Sequence, residues 1–206
     1  MVKVLDPAGY GPMTITQSIS IAGIEGAGIN HGSAGAAIAI NAGPNDNINL
    51  THLTIDGIKT GTAGIRLNSG GSLTITHCVV RNFVIDGIRL QPLTGGIKFL
   101  IGDTLVSNNS GNGISVAPRG TGTAIGTLDH VSADDNRIDG ISVNIEATIM
   151  AIKSIANNNN GAGFSNHKGS LLLAHSTAMG NEVGVFVGGT VESDGNNAIH
   201  DNRTNV

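Results

Sequence analysis

Gly87-Ile88-Arg89-Leu90, Gly113-Ile114-Ser115-Val116 and Gly140-Ile141-Ser142-Val143 spell one pattern three times: glycine, branched aliphatic, any residue, aliphatic. The same pattern stands at Gly64-Ile65-Arg66-Leu67. It weakens to Gly163-Phe164-Ser165-Asn166 and Gly184-Val185-Phe186-Val187. Successive glycines are 23, 26, 27, 23 and 21 residues apart. A near-fixed period in this range marks a repeat architecture, in which each repeat buries its apolar face only against its neighbours.

A second segment keeps the same period. Ser72-Leu73-Thr74-Ile75-Thr76 has counterparts from about Asn47, Lys98, Gly126, Thr148 and Ser170. Residues i and i+2 of a strand share a face. One inward column is then Ile48, Leu73, Phe99, Gly126, Ile149 and Leu171, and the next is Leu50, Ile75, Ile101, Leu128, Ala151 and Leu173. After a corner, Leu53, Cys78, Thr104, Val131, Ser154 and Ser176 line up, followed by Ile55, Val80, Val106, Ala133, Ala156 and Ala178. Each rung therefore has three short strands, two before the glycine and one after it. Matching strands of successive rungs pair in parallel. The expected fold is all-β: a single right-handed parallel β-helix of about seven coils spanning residues 1–206, with 1–36 as an irregular opening coil and 37–206 as regular coils.

Composition agrees. The chain holds 31 glycines and 22 asparagines, and only 13% of its residues are charged, which suits short strands joined by tight corners rather than helices. Asn82, Asn108, Asn136, Asn158 and Asn181 recur just before the glycines. Asparagine tolerates the left-handed backbone and can hydrogen-bond along a stack. Cys78 falls in an inward column and reads as a small buried hydrophobe.

Several functions become remote. A net charge of -4 with 2% aromatic residues offers neither a basic stripe nor stacking platforms for nucleic acid. No apolar run approaches the length of a membrane span, and Met1 opens no signal-peptide pattern. One cysteine makes neither an intramolecular disulfide nor a cysteine metal cluster.

These features resemble the pectate-lyase-like superfamily of parallel β-helices. Within it the chain looks most like bacterial secreted β-helix repeat proteins without an assigned activity. The residues that carry this closer likeness are Val4-Leu5-Asp6-Pro7-Ala8-Gly9-Tyr10-Gly11-Pro12-Met13-Thr14-Ile15-Thr16, Ser18-Ile19-Ser20-Ile21 and Asn68-Ser69-Gly70-Gly71-Ser72-Leu73-Thr74. The resemblance implies export, to the periplasm, cell surface or medium. It supplies no reaction, because fold likeness alone does not carry function.

Enzymes of that superfamily lay a polysaccharide along the first sheet between long loops, and the calcium-assisted lyases among them group several carboxylates there. The corresponding loops here are short, and the outward columns of the first sheet contain one carboxylate, Asp129. Calcium takes six to eight oxygen ligands. Asp134 and Asp135 are adjacent and read as a solvated corner. The densest polar column is a corner: His52, His77, Asp103, His130, Lys153 and His175. Stacking is expected to bring Asp103 beside His130, with Asp129 and Lys153 close by, as a candidate acid–base group. His52 beside His77 is the candidate metal pair, although no metal or cofactor is expected. Arg66 and Arg89 align on adjacent strands, where like charges need an acid (Asp56 or Asp86) or an anionic ligand between them.

The remaining feature is apolar. Leu100, Met150, Ile152, Leu172 and Ala174 should project outward from the C-terminal half of the first sheet, and exposed patches of this kind mark interfaces. The expected function is a non-catalytic exported scaffold or interaction protein, with another protein or a second copy of itself as partner. The alternative is a polysaccharide lyase or glycoside hydrolase.

Overall fold

A computed structural model describes residues 2–3, 8–24 and 27–206, so residues 4–7 of the likeness quoted above lie outside the described residues. Among the described residues there is no helix. Parallel strands stack as a β-solenoid of about seven turns. The first sheet has nine strands, from Val2–Lys3 to Thr190–Ser193. The third has eight, from Met13–Ile15 to Val183–Val187. The second has six, from Gly9–Tyr10 to Ser132–Asp134, and continues through single bridges at Ile155 to the pair Thr177–Ala178 and Ala198–Ile199. The opening segment joins all three sheets: Val2 pairs with Ile21, Gly9 with Gly28, and Met13 with Ile38.

Register follows the columns laid out from the sequence. Ile48 pairs with Leu73, Leu73 with Phe99, Phe99 with Gly126, Gly126 with Ile149, and Ile149 with Leu171. Apart from the half-buried Gly126, these inward residues are buried and belong to one continuous core along the axis. Gly126 has a shape reason. A Cβ at that position would lie 2.5 Å from the Phe99 ring, so one coil gives up its side chain to hold the large ring of the preceding coil. Cys78 lies in the core, and burial pushes its thiol up to about 11.

The glycines of the opening pattern are needed for close approach, not for a left-handed backbone. A Cβ on Gly113 would stand 2.7 Å from the carbonyl oxygen of Gly140 and 2.8 Å from the side-chain amide of Asn136. Left-handed positions recur elsewhere, at two corners of the coils from His77 onward. His52, His77, Asp103, His130, Lys153 and His175 turn from the first sheet to the second with φ between 46° and 55°. Asn82, Asn108, Asp135 and Asn158 turn from the second to the third with φ between 54° and 62°.

The asparagine ladder expected from the sequence is therefore two columns. Asn82, Asn108 and Asn158 hold the left-handed turn. The hydrogen-bonded stack is the next column: Asn109, Asn136, Asn159, Asn181 and Asn202. Each side-chain amide of the first four donates to the Oδ1 of the next, at 2.9, 3.1, 3.0 and 2.9 Å. The same Oδ1 atoms accept the backbone N–H groups of the preceding coil, including Asn109 to Asn136 and Asn159 to Asn181. Phe83, buried in this column, ends the stack.

Candidate functional site

Three outward faces carry the candidate residues. The corner column between the first and second sheets comes first, because it holds the candidate acid–base group. Its left-handed backbone suits His and Asp better than most non-glycine residues, which explains why one polar type recurs there. The expected grouping does not form. Asp103 lies 3.8 Å from Nε2 of His77, on the side away from His130. His130 is held by its sequence neighbour instead, with Nδ1 2.7 Å from Oδ1 of Asp129. Both pairs are about half exposed, so water screens them. Lys153 makes no ion pair among the described residues. The physical reason is the rotamer: His77 and His130 stand one rung to either side of Asp103, whose side chain turns to His77 while His130 is taken by Asp129.

His52 and His77 do meet. Their rings stack with centroids 4.8 Å apart and planes 6° from parallel, and Nδ1 of His52 is 2.8 Å from the Thr51 hydroxyl. Stacked rings aim their nitrogens side by side rather than at a common point. Among the described residues no group of three or more His, Cys, Asp or Glu side chains is arranged to hold a metal ion.

Asp134 departs from the solvated corner expected for it. It is half-buried on the second sheet, takes a hydrogen bond from the Ser132 hydroxyl and accepts the Asn157 N–H at 2.9 Å. Burial pushes its carboxyl above the usual range, against these donors and with help from the charge of Asp135.

The first sheet carries the apolar residues as a connected block. Met150 pairs with Leu172 and Ile152 with Ala174, while Leu100 sits one rung beyond Thr127. Leu100 is 40% and Met150 37% exposed; Ile152, Leu172 and Ala174 are half-buried by one another. Ile125, at 58% exposure, enlarges the block and was missed from the sequence. The signal was there: Ile125 precedes Gly126 by one residue, so it must face out where Gly126 faces in. The charged residues at the rim are Asp129, already paired with His130, Lys98, which pairs in register with Ile125, and Glu192, which pairs in register with Leu172.

The third sheet contributes polar groups that the sequence reading also missed. The Ser165 hydroxyl is 2.6 Å from Nε2 of His167, Asp139 is 3.8 Å from the same nitrogen, and the Phe186 ring lies against the imidazole at 5.0 Å. Serine and acid approach one nitrogen, whereas a nucleophile relay needs them on opposite nitrogens, and Ser165 is almost wholly buried. Alternation after Gly163 gives the outward pair Ser165 and His167, which was the available signal.

Further along this sheet Arg66 and Arg89 are register neighbours. Asp86 reaches Arg89 alone, with Oδ2 3.2 Å from Nη1 of Arg89. Asp56 turns instead to Arg81, at 2.9 Å, and to the Asn82 amide and the Ile58 N–H. Burial works against ionisation of Asp56, but these donors together hold its carboxyl below the usual range.

Among the described residues, no helix is long and apolar enough to cross a membrane. No family model, curated protein or solved structure matches the chain.

Proposed function

We propose that this β-solenoid is a non-catalytic scaffold that pairs with a second copy of itself through the C-terminal half of its first sheet. One observation carries the reading: the outward block of Met150, Ile152, Leu172 and Ala174, extended by Leu100 and Ile125, on a surface otherwise lined mainly by threonine, serine and asparagine, with Lys98, Asp129 and Glu192 at its rim. Each residue added to such a block on pairing removes apolar area from water at ~25 cal/mol per Å². The rim favours a like partner. Asp129 is hydrogen-bonded to His130, and the rest of the rim holds one cation, Lys98 beside Ile125, and one carboxylate, Glu192 beside Leu172, which a two-fold pairing of two copies can set against each other. The candidate acid–base residues support this reading in their own way. Asp103, Asp129 and His130 fall into two separate exposed pairs instead of one desolvated group. Export, and membership of the pectate-lyase-like superfamily, belong to the proposal through the sequence likeness alone.

The mass in solution decides it. Sedimentation of the wild type should give a dimer at tens of micromolar, and Met150→Lys with Leu172→Lys should give a folded monomer. A monomeric wild type over that range overturns the reading.

A further inference from the structure

We propose that Arg66 and Arg89 form a binding site for a small oxyanion of the carboxylate class. The inference lies on a different sheet from the apolar block and does not depend on it.

The two arginines are in register on adjacent strands of the third sheet, so their side chains rise from backbones one rung apart, about 4.8 Å. Like charges stacked directly in a sheet oppose folding. The residues before and after them in the column are short: Ala39 pairs with Arg66, and Ser115 with Arg89. The guanidinium groups therefore stand above their surroundings on both sides.

Their donors are far from satisfied. Two guanidinium groups carry ten N–H donors. Asp86 gives Oδ2 to Arg89, while its Oδ1 is taken by the backbone N–H of Asn112 at 2.9 Å and the Asn112 amide at 3.2 Å. Arg66 has no ion pair among the described residues. The Nε atoms of both arginines are buried and meet no acceptor. The flanking row offers little relief, since its amides are committed to one another: Gln91 donates to Asn68 at 3.0 Å, and Asn68 to Asn41 at 2.7 Å.

One carboxylate oxygen thus pairs with Arg89 and none with Arg66, and the surplus is one positive charge on a chain whose net charge is -4. A carboxylate has two coplanar oxygens, which match the planar fork of a guanidinium and can bridge two of them. Binding it removes the repulsion between the pair, so the ligand stabilises the fold as well as occupying the site.

Calorimetric titration of the whole chain with sodium malonate tests this, with sodium chloride at equal ionic strength as reference and a glucuronate-containing disaccharide as a second probe. Saturable binding is expected, together with a melting temperature that rises with ligand. Arg66→Gln should weaken binding about tenfold or more, because it removes charge-assisted bonds. Asp86→Asn keeps an acceptor for Asn112 but removes the competing charge, and it should tighten binding several-fold. Tighter binding of malonate assigns the site to free acids, and tighter binding of the disaccharide assigns it to sugar-borne ones. Equal affinity in wild type and Arg66→Gln, or binding of neither probe beyond the chloride reference, overturns the proposal.

Discussion

The two left-handed corners of the coils from His77 onward solve the same backbone problem with opposite chemistry. At the first, His52, His77, Asp103, His130, Lys153 and His175 carry the turn and leave their side chains in water or in half-exposed pairs. At the second, Asn108, Asp135 and Asn158 carry the turn, and the following residue sends a buried amide into a continuous stack. The first corner needs a backbone conformation only. The second needs that conformation, a particular side chain and a close glycine opposite. A turn that asks one thing of its residue tolerates variety, whereas a turn joined to a buried network does not.

The sharpest break of this contrast is Asn136→Ala. It deletes the Oδ1 that accepts both the Asn109 N–H and the Asn109 amide, and the amide that reaches Asn159 and the Val106 carbonyl. Buried donors left without acceptors each cost on the order of 1–3 kcal/mol, so urea unfolding should register a loss of ~3 kcal/mol or more. Next in size is Gly140→Ala. Its new Cβ would lie 2.8 Å from the Gly163 carbonyl oxygen and from the Asn159 amide, which should cost about 2 kcal/mol by the same measurement. The smallest effect belongs to the exposed corner. His130→Gly relieves a left-handed strain of roughly 1–2 kcal/mol, but it gives up a screened ion pair and adds glycine's chain entropy. Its unfolding midpoint should stay within an equivalent of ~0.5 kcal/mol of wild type. A large loss at His130 would mean that the first corner, too, is part of a network.

What was legible in the sequence follows the same division. Repeat period and alternation locate every inward column because burial is a one-dimensional property of a solenoid: a residue faces in or out, and its neighbours one period away do the same. The asparagine columns were merged because turn residue and stack residue are adjacent in the chain. Only the hydrogen-bond direction separates Asn108 from Asn109. Asp103 was placed beside His130 because register gives the rung but not the side-chain rotamer, and the rotamer takes it to His77. The apolar block was read correctly as outward-facing residues, yet Ile125 escaped because the repeat was aligned from Gly126 rather than from the residue before it. The third-sheet group of Ser165, His167 and Asp139 joins two coils through a side chain's reach, which no column count reports.

The buried stack also has a polarity. Asn109, Asn136, Asn159 and Asn181 all point their amide nitrogens toward later coils and their oxygens toward earlier ones, held that way by backbone N–H groups on the oxygens. Their dipoles therefore add along the solenoid axis instead of cancelling. Each polarises the next, and the ring of Phe83 insulates the negative end from water. The core thus holds a one-directional chain of neutral side-chain amides, each anchored as well to a carbonyl of its own surroundings, with no helix among the described residues.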